Sequence, residues 1–154
     1  MSYQHILLAV DDSPISYAAV EHAEKLALAL NSKITVMSVI AVDPFKGVDF
    51  YKVAPAVTQY LFEAEKNALG RLKDIQETLI HHGVSTVETK VIRELPPATG
   101  ILEAADELGA DIIIMGSHGR TGFKKFFLGS VAQEVLAISP LPVLIIKSAQ
   151  HTDS

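Results

Sequence analysis

Gly116, Gly119, Gly129 and Ser130 stand at the spacing Gly-x2-Gly-x9-Gly-Ser, within the stretch GSHGRTGFKKFFLGS that runs from Gly116 to Ser130. This arrangement suits phosphate binding. Glycines let peptide N–H groups approach an anion with no side chain between. The amphipathic run that follows, Val131 to Ile138, predicts a helix, whose first turn adds unpaired N–H groups and the positive end of a dipole. Arg120, Lys124 and Lys125 lie in the same stretch and suit a triphosphate, although loop lysines are commonly just solvated. His118 sits between the first two glycines, where it can donate to a phosphate or hold the loop by a hydrogen bond of its own. The spacing contains no Gly-Lys-Ser/Thr and no Gly-x-Gly-x-x-Gly, so neither a Walker A loop nor a dinucleotide fingerprint is present. A hydride-transfer enzyme has no support.

The elements that must position this stretch follow from hydrophobic periodicity. His5 to Val10 is a short apolar run of the kind buried on both faces of a sheet. Asp11-Asp12-Ser13-Pro14 ends it, with Ser13 placed to cap a helix that opens at Pro14. Ile15, Ala19, Ala23, Leu26 and Leu30 then recur at helical spacing up to Asn31-Ser32. Lys33 to Val42 reads as the second strand. Asp43 to Pro55 shows no period and reads as a loop, a lid or a partner surface. A helix from about Ala56 to His82 puts Leu61, Ala64, Ala68, Leu72, Ile75 and Leu79 on one side, and Gly83 ends it. Thr86 to Ile92 alternates, as expected of a strand near a sheet edge. Pro96-Pro97 precedes a helix from about Ala98 to Leu108, and Asp111 to Met115 is the fourth strand. Ser139-Pro140-Leu141-Pro142 separates the last helix from a fifth strand at Val143 to Lys147.

Strands and helices alternate throughout, which predicts one α/β sandwich with a mainly parallel sheet, spanning residues 1–147, and a polar tail at 148–154. Right-handed crossovers place ligands at the carboxyl ends of such strands, where strand order reverses. Neighbouring first and fourth strands would set Asp11 and Asp12 across a crevice from the glycine-rich loop. Asp11 also fits a plain helix-start residue. His81 and His82 are adjacent on a helix and diverge, so they read as a solvated helix end and not as a metal pair.

Composition narrows the function classes. At 154 residues the chain is long enough to bury a core. A net charge of −5 argues against a general nucleic-acid binder. Cysteine is absent, so disulfides, thiolate catalysis and thiolate metal sites are excluded. The opening residues lack the features of a signal peptide, and no apolar run reaches the ~20 residues that span a bilayer. A cytoplasmic protein without membrane insertion is expected.

The segments Ile6–Ser13 (ILLAVDDS), Asp111–Gly119 (DIIIMGSHG), Gly129-Ser130-Val131 and Ser139–Ile146 (SPLPVLII) together resemble the universal stress protein family, in its ATP-binding subclass. The resemblance implies a five-stranded parallel sheet in the order 3-2-1-4-5, a three-layer fold like that of the adenine nucleotide alpha hydrolases. It implies that Asp11 holds the ribose hydroxyls or a Mg²⁺ (or Mn²⁺) through water. It implies that the backbone of Val39 recognises adenine, and that Gly116, Gly119, Gly129, Ser130 and Val131 contact phosphate and ribose, with His118 and Arg120 beside them. Asp12 stands where many relatives carry a small residue. Relatives also often carry a glycine two residues before the proline that opens the third helix. Here that place holds Leu95, preceded by Glu94, which leaves the crevice wall beside the adenine to be determined.

Three functions follow. The leading one is an ATP-binding, nucleotide-dependent stress or regulatory protein acting on an unknown partner. The second is a slow Mg-dependent ATP hydrolase, for which the sequence offers no general base or water-positioning residue. The third is a nucleotide-independent dimeric scaffold, against which the intact glycine spacing speaks. Val143–Ile146 is apolar without alternation, and at a sheet edge it needs cover. A homodimer through this strand is expected, as the resemblance also implies.

Overall fold

The computed structural model describes residues 3–40, 55–118 and 128–147. The polar tail 148–154, the segment 43–54, and Gly119, Arg120, Lys124 and Lys125 lie outside the described residues. Elements alternate as β1 (His5–Ala9), α1 (Ile15–Leu30), β2 (Lys33–Ile40), α2 (Pro55–His81), β3 (Val87–Arg93), α3 (Pro97–Leu108), β4 (Ile112–Gly116), α4 (Ser130–Ile138) and β5 (Val143–Ile146). The five strands form one parallel sheet in the order β3-β2-β1-β4-β5.

Strand alternation divides the core. Ile6 and Leu8 of β1 face one side, with Ile34, Val36 and Ile114, against α1 and α2. Leu7 faces the other, with Met37, Ile113 and Met115, against α3 and α4. Leu7, Leu8, Ile113 and Ile114 are fully buried, each such side chain contributing about 1.5–3 kcal/mol. That two-sided burial explains why these strands read as unbroken apolar runs. The edge strand β3 instead shows the mixed pattern that its alternation predicted.

Helix ends follow their residues. Asn31 takes the left-handed conformation (φ 58°) and closes α1, its N–H donating to the Ala27 carbonyl. Gly109 does the same for α3 (φ 66°). The start of α1 differs from expectation. Ser13 does not cap it with its side chain. Its hydroxyl donates instead to the Asp11 carboxylate, as does its N–H at 2.9 Å. The Asp11 carboxylate two residues upstream, as in an Asx turn, holds the hydroxyl turned toward itself, and the helix N–H groups receive no side-chain acceptor. Pro14 already has helical dihedrals (φ −60°, ψ −31°), but the helix proper begins at Ile15.

Register positions the site. Ala9 of β1 lies opposite Met115 of β4. The chain therefore leaves β1 toward Asp11 and leaves β4 toward Ser117 side by side, at the carboxyl edge of the sheet. At the opposite edge the Asp111 carboxylate accepts the N–H groups of Gln4 and His5, both at 2.9 Å, and ties the start of β1 to that of β4.

Candidate functional site

A cavity of about 310 Å³ opens at the carboxyl ends of β1, β2 and β4. This is within the range of small-molecule sites. Ala9, Met37, Val39, Ile101 and Met115 make an apolar end, and Asp11, Ser16, Gly116, His118, Gly129 and Ser130 supply the polar groups. Pro97, Val131 and Ala132 complete the wall.

The polar end is built by close backbone approach. A Cβ on Gly116 would stand 2.8 Å from the Ile15 Cγ2, so only glycine lets the first turn of α1 seat against the end of β4. The N–H of Ser117 donates to the Ile146 carbonyl at 2.8 Å, and the N–H of Gly129 donates to the Ser117 carbonyl at 2.7 Å. The first bond ties Ser117 to the end of β5, and the second joins the two ends of the stretch between β4 and α4. Helix α4 then begins at Ser130, with Gly129 extended before it and no side chain capping it. The N–H groups of Ser130, Val131 and Ala132 thus lack an intrahelical acceptor, and all three residues line the cavity. An anion there meets unpaired donors and the positive end of the helix dipole.

The apolar end owes its polarity to one backbone. The Val10 N–H donates to the Met37 carbonyl at 2.9 Å, and the Ser38 hydroxyl donates to the Val10 carbonyl at 3.0 Å. The ladder between β1 and β2 stops there. By strand alternation, the N–H and C=O of Val39 point to the same side as those of Met37, past the last β1 pair, Ala9 with Met37. A donor and an acceptor are thereby presented together beside an apolar slot.

Asp11 is held tightly. Its Oδ1 accepts the Ser13 N–H (2.9 Å), the Ser13 hydroxyl and the Ser16 hydroxyl (3.0 Å). Its own N–H donates to the Ser16 Oγ at 2.9 Å. Asp11 thus opens α1 and lines the cavity at once: the turn that begins the helix fixes its carboxylate on the cavity wall.

Of the residues that the sequence suggested for the site, Asp11, Val39, Gly116, His118, Gly129, Ser130 and Val131 line one cavity. Gly119 and Arg120 lie outside the described residues. Asp12 is exposed and is not part of the lining. His82 pairs with Glu24 at 2.7 Å on the surface. Neither Glu94 nor Leu95 reaches the cavity. The left-handed residue before α3 is Glu94 (φ 62°), one place earlier than Leu95, and Pro97 and Ile101 form that wall. Ser16, Met37, Pro97 and Ile101 are lining residues that the sequence did not mark. Ser16 is marked only by its hydrogen bonds to Asp11, which the folded chain forms and the residue pattern does not announce.

Comparison with known proteins agrees with this fold. The sequence model of the universal stress protein family matches residues 2–147. A universal stress protein of Methanocaldococcus jannaschii is 32% identical over 145 residues, covering 94% of this chain and 82% of that protein. The solved structure of a hypothetical protein, MJ0577, superposes with a TM-score of 0.83 at 27% identity, covering 98% of this chain and 100% of the other. A universal stress protein from Archaeoglobus fulgidus in complex with dAMP shares the fold, with a TM-score of 0.66 at 23% identity, covering 96% and 100% of the two chains.

Proposed function

Because the chain belongs to the universal stress protein family, we propose that it binds an adenine nucleotide, ATP foremost, and acts as a nucleotide-dependent stress or regulatory protein. One observation carries this reading. A single cavity joins an apolar slot beside the Val39 backbone to the uncapped start of α4 and the Gly116 and Gly129 backbones. The slot suits a flat base whose edge carries both a donor and an acceptor. The other end suits phosphates. The relative in complex with dAMP supports the choice of nucleotide class. In this reading Gly119 and Arg120 belong to the phosphate end, together with His118.

Mg²⁺ or Mn²⁺ fits only as a companion of the phosphates. Among the described residues no group of three or more His, Asp or Glu side chains is placed to hold an ion, and Asp11 is the one carboxylate of the lining. It would reach such an ion through water, with phosphate oxygens supplying most of the ligands. Binding with partner regulation is favoured over turnover for the same reason: among the described residues the cavity wall offers no second carboxylate to share the work of activating a water. A homodimer through β5 accompanies this reading. Leu144 of β5 and Leu136 and Ile138 of α4 are exposed.

Thermal unfolding with and without nucleotide tests the proposal. At about 100 times the dissociation constant, ATP with Mg²⁺ is expected to add roughly 2.7 kcal/mol, or about 5–10 °C for a domain of this size. No shift with any adenine nucleotide, and none released on denaturing the purified protein, would overturn it.

A further inference from the structure

We propose that Ser16 is a positioning residue: with Ser13 it locks the Asp11 carboxylate and so makes the crevice selective for a nucleotide whose sugar carries a free hydroxyl. This rests on the nucleotide reading above and adds to it how the sugar is chosen. Ser13 and Ser16 are 1% and 5% exposed, among the few buried polar side chains of the domain. Neither is spent on capping α1, which has no side-chain cap. Both are spent on Asp11. Ser16 acts twice, donating its hydroxyl to Oδ1 at 3.0 Å and accepting the Asp11 N–H at 2.9 Å. Ser13 adds its N–H and its hydroxyl to the same oxygen.

The consequence is an asymmetric carboxylate. Oδ1 accepts three protein donors, whereas Oδ2 has no partner among the described residues. An ionised carboxylate only accepts, so Oδ2 selects a ligand that donates. A hydroxyl meets that need with one oxygen. A divalent ion bound directly wants several hard oxygens, and Asp11 has one left to give. Because the side chain is already fixed, its ordering is not charged against binding. Loss of the Ser16 hydroxyl removes a tether and leaves the Asp11 N–H without its acceptor, so the carboxylate leaves its orientation.

The experiment compares ATP with 2′,3′-dideoxy-ATP, by calorimetric titration of the full chain and of Ser16→Ala. Hydrogen bonds to a charged group are worth enough that the wild type is expected to prefer ATP by about tenfold or more. In Ser16→Ala the preference is expected to fall to about threefold or less, with affinity for dideoxy-ATP nearly unchanged. A purely structural role for Ser16 would weaken both nucleotides alike and keep their ratio, and that outcome overturns the inference. So does a wild type that binds both nucleotides equally. Binding of neither by the wild type instead removes the nucleotide reading itself. Ser16→Cys, close in size and a weaker donor, serves the same comparison if Ser16→Ala does not fold, with an intermediate ratio expected and an unchanged ratio overturning.

Discussion

Gly129 donates its N–H to the Ser117 carbonyl at 2.7 Å, and a Cβ placed on Gly129 would lie 3.0 Å from the His118 Cα and 3.4 Å from the Ser117 oxygen. The two ends of the stretch between β4 and α4 are therefore in backbone contact. Gly129→Val should push them apart and move the first N–H groups of α4 off the cavity. The thermal shift with ATP and Mg²⁺ is expected to vanish, at a stability cost of about 1–3 kcal/mol, while far-ultraviolet circular dichroism stays native. An undiminished shift would remove Gly129 from the site.

Much of this arrangement was legible in the residues. Buried runs such as Ile112–Met115 must be central strands, and alternation with helical periods leaves few topologies. The glycine spacing then marks the edge of the sheet at which the cavity opens. What was not legible depended on tertiary contact. Ser16 looks like any serine in the first turn of a helix until Asp11 folds back onto it. Pro97 reads as a helix opening and Ile101 as one residue of the helix that follows, and they join the cavity wall because α3 packs against β2. Ser13 was misread because its hydroxyl turns to the Asp11 carboxylate and not to the helix N–H groups, an orientation that local pattern does not reveal.

Glu94 occupies the left-handed region at φ 62°, where a side chain with a Cβ pays about 1–2 kcal/mol. Glycine escapes that cost and loses part of the gain to unfolded-chain entropy. Glu94→Gly is expected to raise the melting temperature by about 2–4 °C, equivalent to roughly 1 kcal/mol. Asn31, at φ 58°, is an internal control, since asparagine tolerates this conformation. Asn31→Gly should change little. A lower melting temperature for Glu94→Gly would show that the Glu94 side chain contributes more than its backbone costs.

His5 sits at the edge of the sheet away from the cavity, its Nε2 2.7 Å from the Thr35 Oγ1. Burial, then the charge of Lys33, hold its imidazole below the ordinary 6.5, against the opposing pull of the Leu108 carbonyl, Glu88 and Asp111. Between the ordinary value and the lowered one the unfolded chain binds more protons than the folded chain. Stability is thus fully present above the ordinary value and falls as pH drops through this window, levelling off below the folded value. Melting curves from about pH 7.5 to about pH 5 should show this decline, and His5→Gln should make it shallower. Equal slopes for the two proteins would mean that His5 is not the group responsible.

The edge strand offers the most selective test of assembly. Ile113 donates its N–H to the Pro142 carbonyl at 3.0 Å and Ser117 donates to the Ile146 carbonyl at 2.8 Å. Residues 142, 144 and 146 thus turn their peptide groups toward β4, and by alternation Val143 and Ile145 turn theirs outward. Proline at an outward position removes an edge donor without touching the inner ladder. If two copies pair through β5, Ile145→Pro should convert a dimer into a monomer in sedimentation equilibrium. Loss of the half-buried Ile145 side chain costs about 1–3 kcal/mol, which melting measures separately. A wild type that stays monomeric at every concentration, or a variant that keeps the dimer, would place any self-association on another face.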